Sequence, residues 1–262
     1  MMDPDLGGVR AIYFDLDDTL CGYWDAAKTG LWKTFEYNPV AGRSTQEMLK
    51  VWGEEFKKFG AEIGSDHWYP LYCESGEHTR RELMRRVLAR VGIDDPDHGL
   101  RLSDTYYVER HAALTLFPEA VEVLESLVGL HPLGLITNGP TDIQRQEIEK
   151  LQIGRYFQHI FIEGEQRMGK PNPEVISRAQ EAVGVPAEQI LMVGNSFRHD
   201  VIPAQAAGWK TAWVRRPSDV PPSSKTGLPE EMPEGATPPD LVMSDLRELW
   251  SALGMERSAR AD

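Results

Sequence analysis

Cysteine is scarce in this 262-residue sequence: Cys21 and Cys73 are the only two, and they show no metal-binding spacing. A chain so poor in thiols belongs in a reducing compartment, and the cytoplasm is its expected location. Long apolar runs are lacking too. The longest, around Leu133–Thr137 and Ile190–Gly194, fall far short of the ~20 residues a membrane-spanning helix needs. The N-terminus, MMDPDLGGVR, has neither the basic start nor the apolar stretch of a secretory leader, so a soluble protein is expected. Positive charge is also thin: Lys+Arg number 28 against 41 Asp+Glu, a net charge of -13. Such a field repels polyanions and argues against nucleic acid and anionic membranes as partners. An anionic ligand would have to be captured by a local cluster of donors.

What is present reads as an enzyme-sized globular protein. The length permits a single large domain or a core with an inserted module, and the hydropathy pattern favours the second. Val9 to Phe14 form a β-branched and aromatic run that ends abruptly at Asp15, the mark of a buried strand delivering polar groups at its carboxyl end. From there to Thr115 no strand pattern occurs. Ser44-Thr45-Gln46-Glu47 has capping-box spacing and opens a helix through Phe59, and Glu82 to Val91 and Asp104 to Leu114 are further helical stretches. From Pro118 onward helices alternate with short apolar strands at 133–137, 160–162, 190–194 and 211–214, which predicts a doubly wound α/β core with a parallel sheet. The expected division is a core of residues 1–20 and 115–262 with a helical cap at 21–114. Residues 216–239, rich in Pro, Ser, Gly and Glu, predict a long surface loop; a strand at 241–243 and a helix at 245–253 follow, and residues 255–262 are expected to fray.

In open parallel sheets, ligands bind beyond the carboxyl ends of the strands. Here three strands end in Asp15, in Thr137-Asn138-Gly139 and in Gly194-Asn195-Ser196, so these ends are expected to converge. The two-residue spacing of Asp15 and Asp17 turns both carboxylates to one side while Leu16 faces away. Like charges held close raise the pKa of one of them, so one carboxyl attacks as an anion while the other carries a proton, a division suited to aspartyl-phosphate chemistry. A polar strand end making turn contacts is the plainer alternative.

The run Asp15-Leu16-Asp17-Asp18-Thr19 resembles the first motif of the haloacid dehalogenase-like hydrolase superfamily, and the resemblance spans most of the chain. The family's second motif matches Thr137, its third, a lysine, matches Lys170, and its fourth, an acidic cluster, matches the stretch from Gly194 to Asp200. The order agrees, as does a helical cap between the first and second motifs. The resemblance implies a magnesium-dependent phosphatase acting on a small phosphorylated metabolite, with Asp15 as nucleophile, Asp17 as acid and base, and Lys170 neutralising charge. Thr137 and the amides of Asn138 and Gly139 would hold phosphoryl oxygens, and Mg²⁺ would be held by Asp15, the carbonyl of Asp17, Asp200 and Asn195. The segment from Thr137 to Asp200 is similar to the branch of pyrimidine nucleotidases and acylneuraminate 9-phosphatases.

One departure stands out. Where the family carries its first fourth-motif aspartate, this chain has Asn195, which offers the metal an oxygen but no charge. The family's dehalogenases also carry an Asn near this position and work without metal, but they lack the second aspartate of the first motif. Asp17 thus favours the phosphatase over a 2-haloacid dehalogenase, and a non-catalytic binding module is the third reading. His199 is set aside as a loop residue. The aromatics Trp24, Trp32, Trp52, Trp68, Tyr69 and Tyr72 form either the cap's own core or a platform for a planar leaving group. The oligomeric state is left open.

Overall fold

The structure, a computed structural model, describes residues 6–255. Strand β1 (Ala11–Phe14) is buried at every position, which a strand covered on both faces requires. Its side chains alternate between two cores. Ile12 and Phe14 pack with Leu135, Leu191 and Val193 on one face, and Ala11 and Tyr13 with Ile136, Ile190 and Met192 on the other. Together β1, β2 (Leu133–Thr137), β3 (His159–Ile162), β4 (Ile190–Gly194), β5 (Lys210–Val214) and β6 (Leu241–Met243) form a parallel sheet in the order β3-β2-β1-β4-β5-β6. Helices flank it, as the α/β reading requires. The strand order reverses beside β1, so the crevice of this doubly wound sheet opens there. Gly134 is needed at the centre: a Cβ on it would lie 2.1 Å from the Tyr13 ring, whose hydroxyl donates across the layer to the Ala179 carbonyl at 2.6 Å.

Six helices lie between β1 and β2, of which the first five form one unit: α1 (Tyr23–Tyr37), α2 (Thr45–Gly60), α3 (Trp68–Glu74), α4 (Gly76–Arg90) and α5 (Pro96–Ala113). They bury a core of their own around Leu31, Phe35, Met48, Trp52, Phe59 and Met84. Helix α2 starts on the expected capping box, with Ser44 and Glu47 exchanging side-chain and backbone bonds. Where the chain enters and leaves this unit the two passes are stitched together: Gly22 donates to the Thr115 carbonyl at 3.1 Å and Phe117 to the Leu20 carbonyl at 2.9 Å.

The remaining helices are α6 (Ala120–Val128), α7 (Thr141–Lys150), α8 (Glu163–Gln166), α9 (Pro173–Val183), α10 (Ile202–Ala206) and α11 (Glu248–Ala252). Several boundaries differ from the sequence reading. β1 starts at Ala11 instead of Val9, and α11 is shorter than the expected 245–253 because its first turn is taken by Glu248 accepting from the Ser244 and Asp245 amides. The helix expected from Asp200 opens earlier, as a single π turn at Phe197–Val201. Residues 216–239 form no regular element. Of the end expected to fray, residues 256–262 lie outside the described residues. No helix among the described residues is long and apolar enough to cross a membrane, and both cysteines are free and buried.

Candidate active site

The register of the sheet fixes where polar groups emerge. Phe14 is paired with Leu135 on one side and Val193 on the other, so β1, β2 and β4 end nearly level. Asp15 leaves the sheet with its amide still bonded to the Val193 carbonyl at 2.9 Å. Facing it is Lys170, whose Nζ lies 2.7 Å from Asp15 Oδ1 and 2.6 Å from Asp200 Oδ1. All three residues are buried.

Each member of this triad is held in place. The Asn138 side chain clasps the Lys170 backbone, its Nδ2 donating to the carbonyl at 2.7 Å and its Oδ1 accepting from the amide at 2.8 Å. The π turn brings the Asp200 carboxylate back over β4, where Oδ2 accepts from the Ser196 amide at 2.9 Å. That carboxylate occupies the space of a side chain at position 194, since a Cβ on Gly194 would sit 2.3 Å from it. Burial pushes the Asp15 carboxyl up to about 6 while Lys170 pulls it down. Burial also disfavours the charge on Lys170, but Asp15 and Asp200 outweigh this and hold its pKa above the ordinary value.

Asp17 has a different environment. Burial, and then the charges of Glu147, Asp15 and Asp18, lift its pKa well above the usual carboxylate range, which favours its protonated form. Its Oδ2 accepts from Gln144 Nε2 at 3.2 Å. Gln144, on α7, also accepts the Thr137 hydroxyl at 2.7 Å and donates to Glu147 at 3.2 Å. Glu147 in turn pairs with Arg110 of α5 at 2.5 Å. Thr137 is therefore committed to Gln144, and the Gly139 amide to Glu163 Oε2 at 3.1 Å. Of the three residues read as phosphate contacts, Asn138 alone lines the cleft that Asp15, Asp17, Lys170, Asn195 and Asp200 also line, about 560 Å³ in volume. A phosphoryl oxygen would have to replace the partners of the other two.

The remaining Asp15 oxygen faces away from Lys170. The Thr19 hydroxyl lies 3.2 Å from Asp15 Oδ2 and 3.4 Å from Asn195 Oδ1. Asn195 presents that oxygen because its Nδ2 is anchored on Asp219 Oδ2 at 2.9 Å. Asp18, in the left-handed conformation at φ 56°, caps the Trp24 amide at 3.1 Å. Burial first and the charge of Asp219 second push Asp18 up to about 8, and burial pushes Asp219 up to about 6. Among the described residues, no three His, Cys, Asp or Glu side chains converge as a metal cage. The side-chain oxygens that face each other here are instead one of the Asp15 carboxylate and one of the Asn195 amide, with the carboxylates of Asp18 and Asp219 close by. This fits Mg²⁺, which keeps much of its water and needs few protein ligands. Both oxygens of Asp200 are engaged, by Lys170 and by Ser196.

Four participants were invisible in the sequence reading. Gln144 and Glu147 lie on a helix that was expected, but their contacts run to residues far along the chain. Glu163, which accepts from Gly139 and from the Tyr69 and Tyr72 hydroxyls, belongs to a four-residue helix without a periodic pattern. Asp219 sits in the Pro-rich loop. Its only signal is an acidic residue soon after a strand, common in any loop. The aromatic set divides: Trp52 belongs to the core of the five-helix unit, Trp24, Tyr69 and Tyr72 line the cleft, and Trp32 is exposed.

Comparison with known proteins agrees with this layout. The family model for haloacid dehalogenase-like hydrolase matches residues 9–208. Phosphoserine phosphatase from Thermus thermophilus is 34% identical over 175 residues, which is 66% of this chain and 64% of that protein. Phosphoglycolate phosphatase from Shigella boydii is 28% identical over 95% of this chain and 94% of its own length. Among solved structures, the putative HAD-hydrolase YfnB from Bacillus subtilis, bound to magnesium, superposes with a TM-score of 0.70 at 21% identity, covering 94% of this chain and 99% of its own. L-2-haloacid dehalogenase from Xanthobacter autotrophicus superposes with a TM-score of 0.69 at 20% identity, covering 97% of this chain and 100% of its own. With the motifs in order at the strand ends and the family match covering most of its length, this chain belongs to the haloacid dehalogenase-like hydrolases.

Proposed function

We propose that this hydrolase is a magnesium-dependent phosphatase that cleaves a small phosphomonoester through an aspartyl phosphate on Asp15. One observation carries the reading: two carboxyls two residues apart sit in opposite electrostatic environments. Asp15 is paired with Lys170 at 2.7 Å, which favours its anion, while burial and neighbouring charge favour the protonated form of Asp17. A nucleophile and an acid are thus prepared side by side.

In this reading Asp15 attacks phosphorus as the ester P–O bond breaks, and Asp17 gives its proton to the departing oxygen. Asp17, now a base, takes a proton from water as that water attacks the phosphoaspartate. This releases phosphate and restores Asp15. Lys170 neutralises charge on the transferring group, and Asn138 keeps Lys170 aimed at it. Magnesium, when held by Asp15, the Asp17 carbonyl and Asn195, with Asp200 through water, supplies further neutralisation of the phosphoryl oxygens. The relatives named as phosphatases support this reading.

The dehalogenase fold and Asn195 favour a second reading, 2-haloacid dehalogenation, in which Asp17 would have no task. Rapid-quench trapping separates the two. Mg²⁺-dependent release of phosphate with a trappable phosphoenzyme is expected, and Asp15→Asn should lower turnover by roughly 10⁴-fold or more and abolish trapping. Halide release without Mg²⁺ would establish the dehalogenase, and turnover surviving intact in Asp15→Asn would refute the mechanism.

A further inference from the structure

Beside the cleft lies a second pocket of about 250 Å³, half open, between the helical insert and the core. The two share the walls formed by Asp17, Tyr23, Phe56, Ile63, Tyr72 and Asn138, so they communicate past the carboxyl that acts as acid. An ester whose phosphorus sits at Asp15 and whose leaving oxygen meets Asp17 must send its alcohol portion beyond Asp17. The second pocket lies in that direction.

Its lining is mostly apolar: Trp52, Phe59, Leu83, Met84, Tyr106 and Ile143. It also contains two guanidinium groups. Arg110 is neutralised by Glu147. Arg80 is not: among the described residues no carboxylate lies within ion-pair distance of it. Its Nε donates to Ser103 Oγ at 3.2 Å and its guanidinium lies 4.7 Å over the Tyr107 ring. Of the carboxylates that act on it from farther away, Asp142 caps Ser75 and Gly76, Glu77 pairs with Arg81, and Asp104 is exposed to solvent, beyond ion-pair distance. Burial, then the charge of Arg110, depresses the Arg80 pKa, the signature of a cation short of a counterion. In a chain of net charge -13 this is a local positive spot with apolar walls.

We propose that this pocket is the leaving-group site and that it selects phosphomonoesters whose alcohol has an aromatic or bulky apolar body ending in a carboxylate or similar anion, with Arg80 as the residue that reads that end. The inference rests on the phosphatase reading above. A planar guanidinium already supported by stacking is suited to grip a carboxylate through two hydrogen bonds. Apolar walls with few, well-placed polar groups reward shape and exclude small, strongly hydrated alcohols. Serine and glycolate, the alcohols of the substrates named for the two relatives, would leave this volume largely unfilled.

The test uses the full chain and two readouts. With Mg²⁺ present, kcat/KM is measured for phenyl phosphate, 4-(carboxymethyl)phenyl phosphate and phosphoglycolate. Separately, tryptophan fluorescence follows binding of the alcohols alone, phenol and 4-hydroxyphenylacetate, which needs no catalysis. The carboxymethyl ester should be the best of the three substrates. Arg80→Met should cost it roughly 10- to 100-fold more than it costs phenyl phosphate, chiefly in KM, with the same difference in the binding of the two alcohols. Arg80→Lys should recover part of the loss. Phosphate release that favours phosphoglycolate, or an Arg80→Met loss equal for both aryl esters, overturns the inference and leaves the phosphatase reading standing. Selective, Arg80-dependent binding of 4-hydroxyphenylacetate without phosphate release from any ester would uphold the site and sink the phosphatase reading.

Discussion

The two halves of the cleft are built on opposite plans. On the core side nearly every polar group already has a protein partner: Lys170 has two carboxylates, Asp200 has a lysine and an amide, and Thr137 has Gln144. On the cap side, Arg80 has a hydroxyl and an aromatic face but no counterion. The core side is a closed network whose members depend on one another, whereas the side of the helical insert, though its Arg110, Tyr69 and Tyr72 pair with carboxylates of the core, keeps one cation without a counterion. Chemistry that is the same for every substrate is set by strand ends in fixed register, while selection is left to helices that pack around their own core.

The sharpest way to break this comparison is to remove one member from each side. Lys170→Met leaves Asp15 and Asp200 buried and facing each other without a counter-charge, so it should cost roughly 3–5 kcal/mol of stability besides eliminating turnover. Arg80→Met strands no buried charge, only the Ser103 hydroxyl, and should cost about 1 kcal/mol. Denaturant melts of the two variants against wild type check this, and equal losses would show that the core side is no more interlocked than the cap.

A smaller effect probes the metal side. Asp219 orients Asn195 from outside the cleft, and loss of such supporting contacts weakens metal sites by roughly 10- to 100-fold. Asp219→Asn should therefore raise the Kd for Mg²⁺, measured by calorimetry on the unliganded protein, toward the lower end of that range. Asn195→Asp should lower it, and more so when combined with Asp219→Asn, since in the single variant two carboxylates would face each other. A Kd unmoved by either change would place Asn195 outside the metal's coordination.

The smallest expected effect is on pH and stability. Asp15, Asp18 and Asp219 have pKa values raised in the folded protein, to about 6, about 8 and about 6. The folded state therefore binds protons more tightly than the unfolded chain, and stability falls as pH rises from about 4 toward 8. Without Mg²⁺ the protein should melt at lower temperature at pH 8 than at pH 5. Added Mg²⁺ should raise the melting temperature more at pH 8, by a few degrees. A Mg²⁺ shift larger at pH 5 would contradict the charge arrangement described here.

The sheet was readable in the sequence because parallel strands covered on both faces must be apolar throughout, and Ala11–Phe14, Leu133–Thr137 and Ile190–Gly194 are. The same strands deliver Asp15, Thr137 and Asn195, so the site could be located from three strand ends. Helices α1 and α3 were not delimited because neither carries a capping side chain at its start: α1 follows Gly22 directly, and α3 follows His67. The wiring of the site was hidden for another reason. That Thr137 would bond Gln144 instead of facing the cleft, or that a loop carboxylate would anchor Asn195, depends on packing between residues distant in the chain, which no local pattern records.

The position of β1 has a consequence for how the chain comes together. It is the first strand made, yet it is central, and its neighbours arrive only with Leu133–Thr137 and later Ile190–Gly194. Pairing across such separations is slow when the intervening chain is loose, because closing a long loop costs entropy before any contact rewards it. Here the intervening chain is a helical unit with its own core, and its two ends are stitched together at Gly22–Thr115 and Leu20–Phe117. Once folded, that unit shortens the effective gap between β1 and β2 to residues 15–20 before the stitch and residues 117–132, with α6, after it. On the reading proposed above, the insert that would shape the leaving-group pocket also brings the first strand toward the neighbours that follow it in the chain.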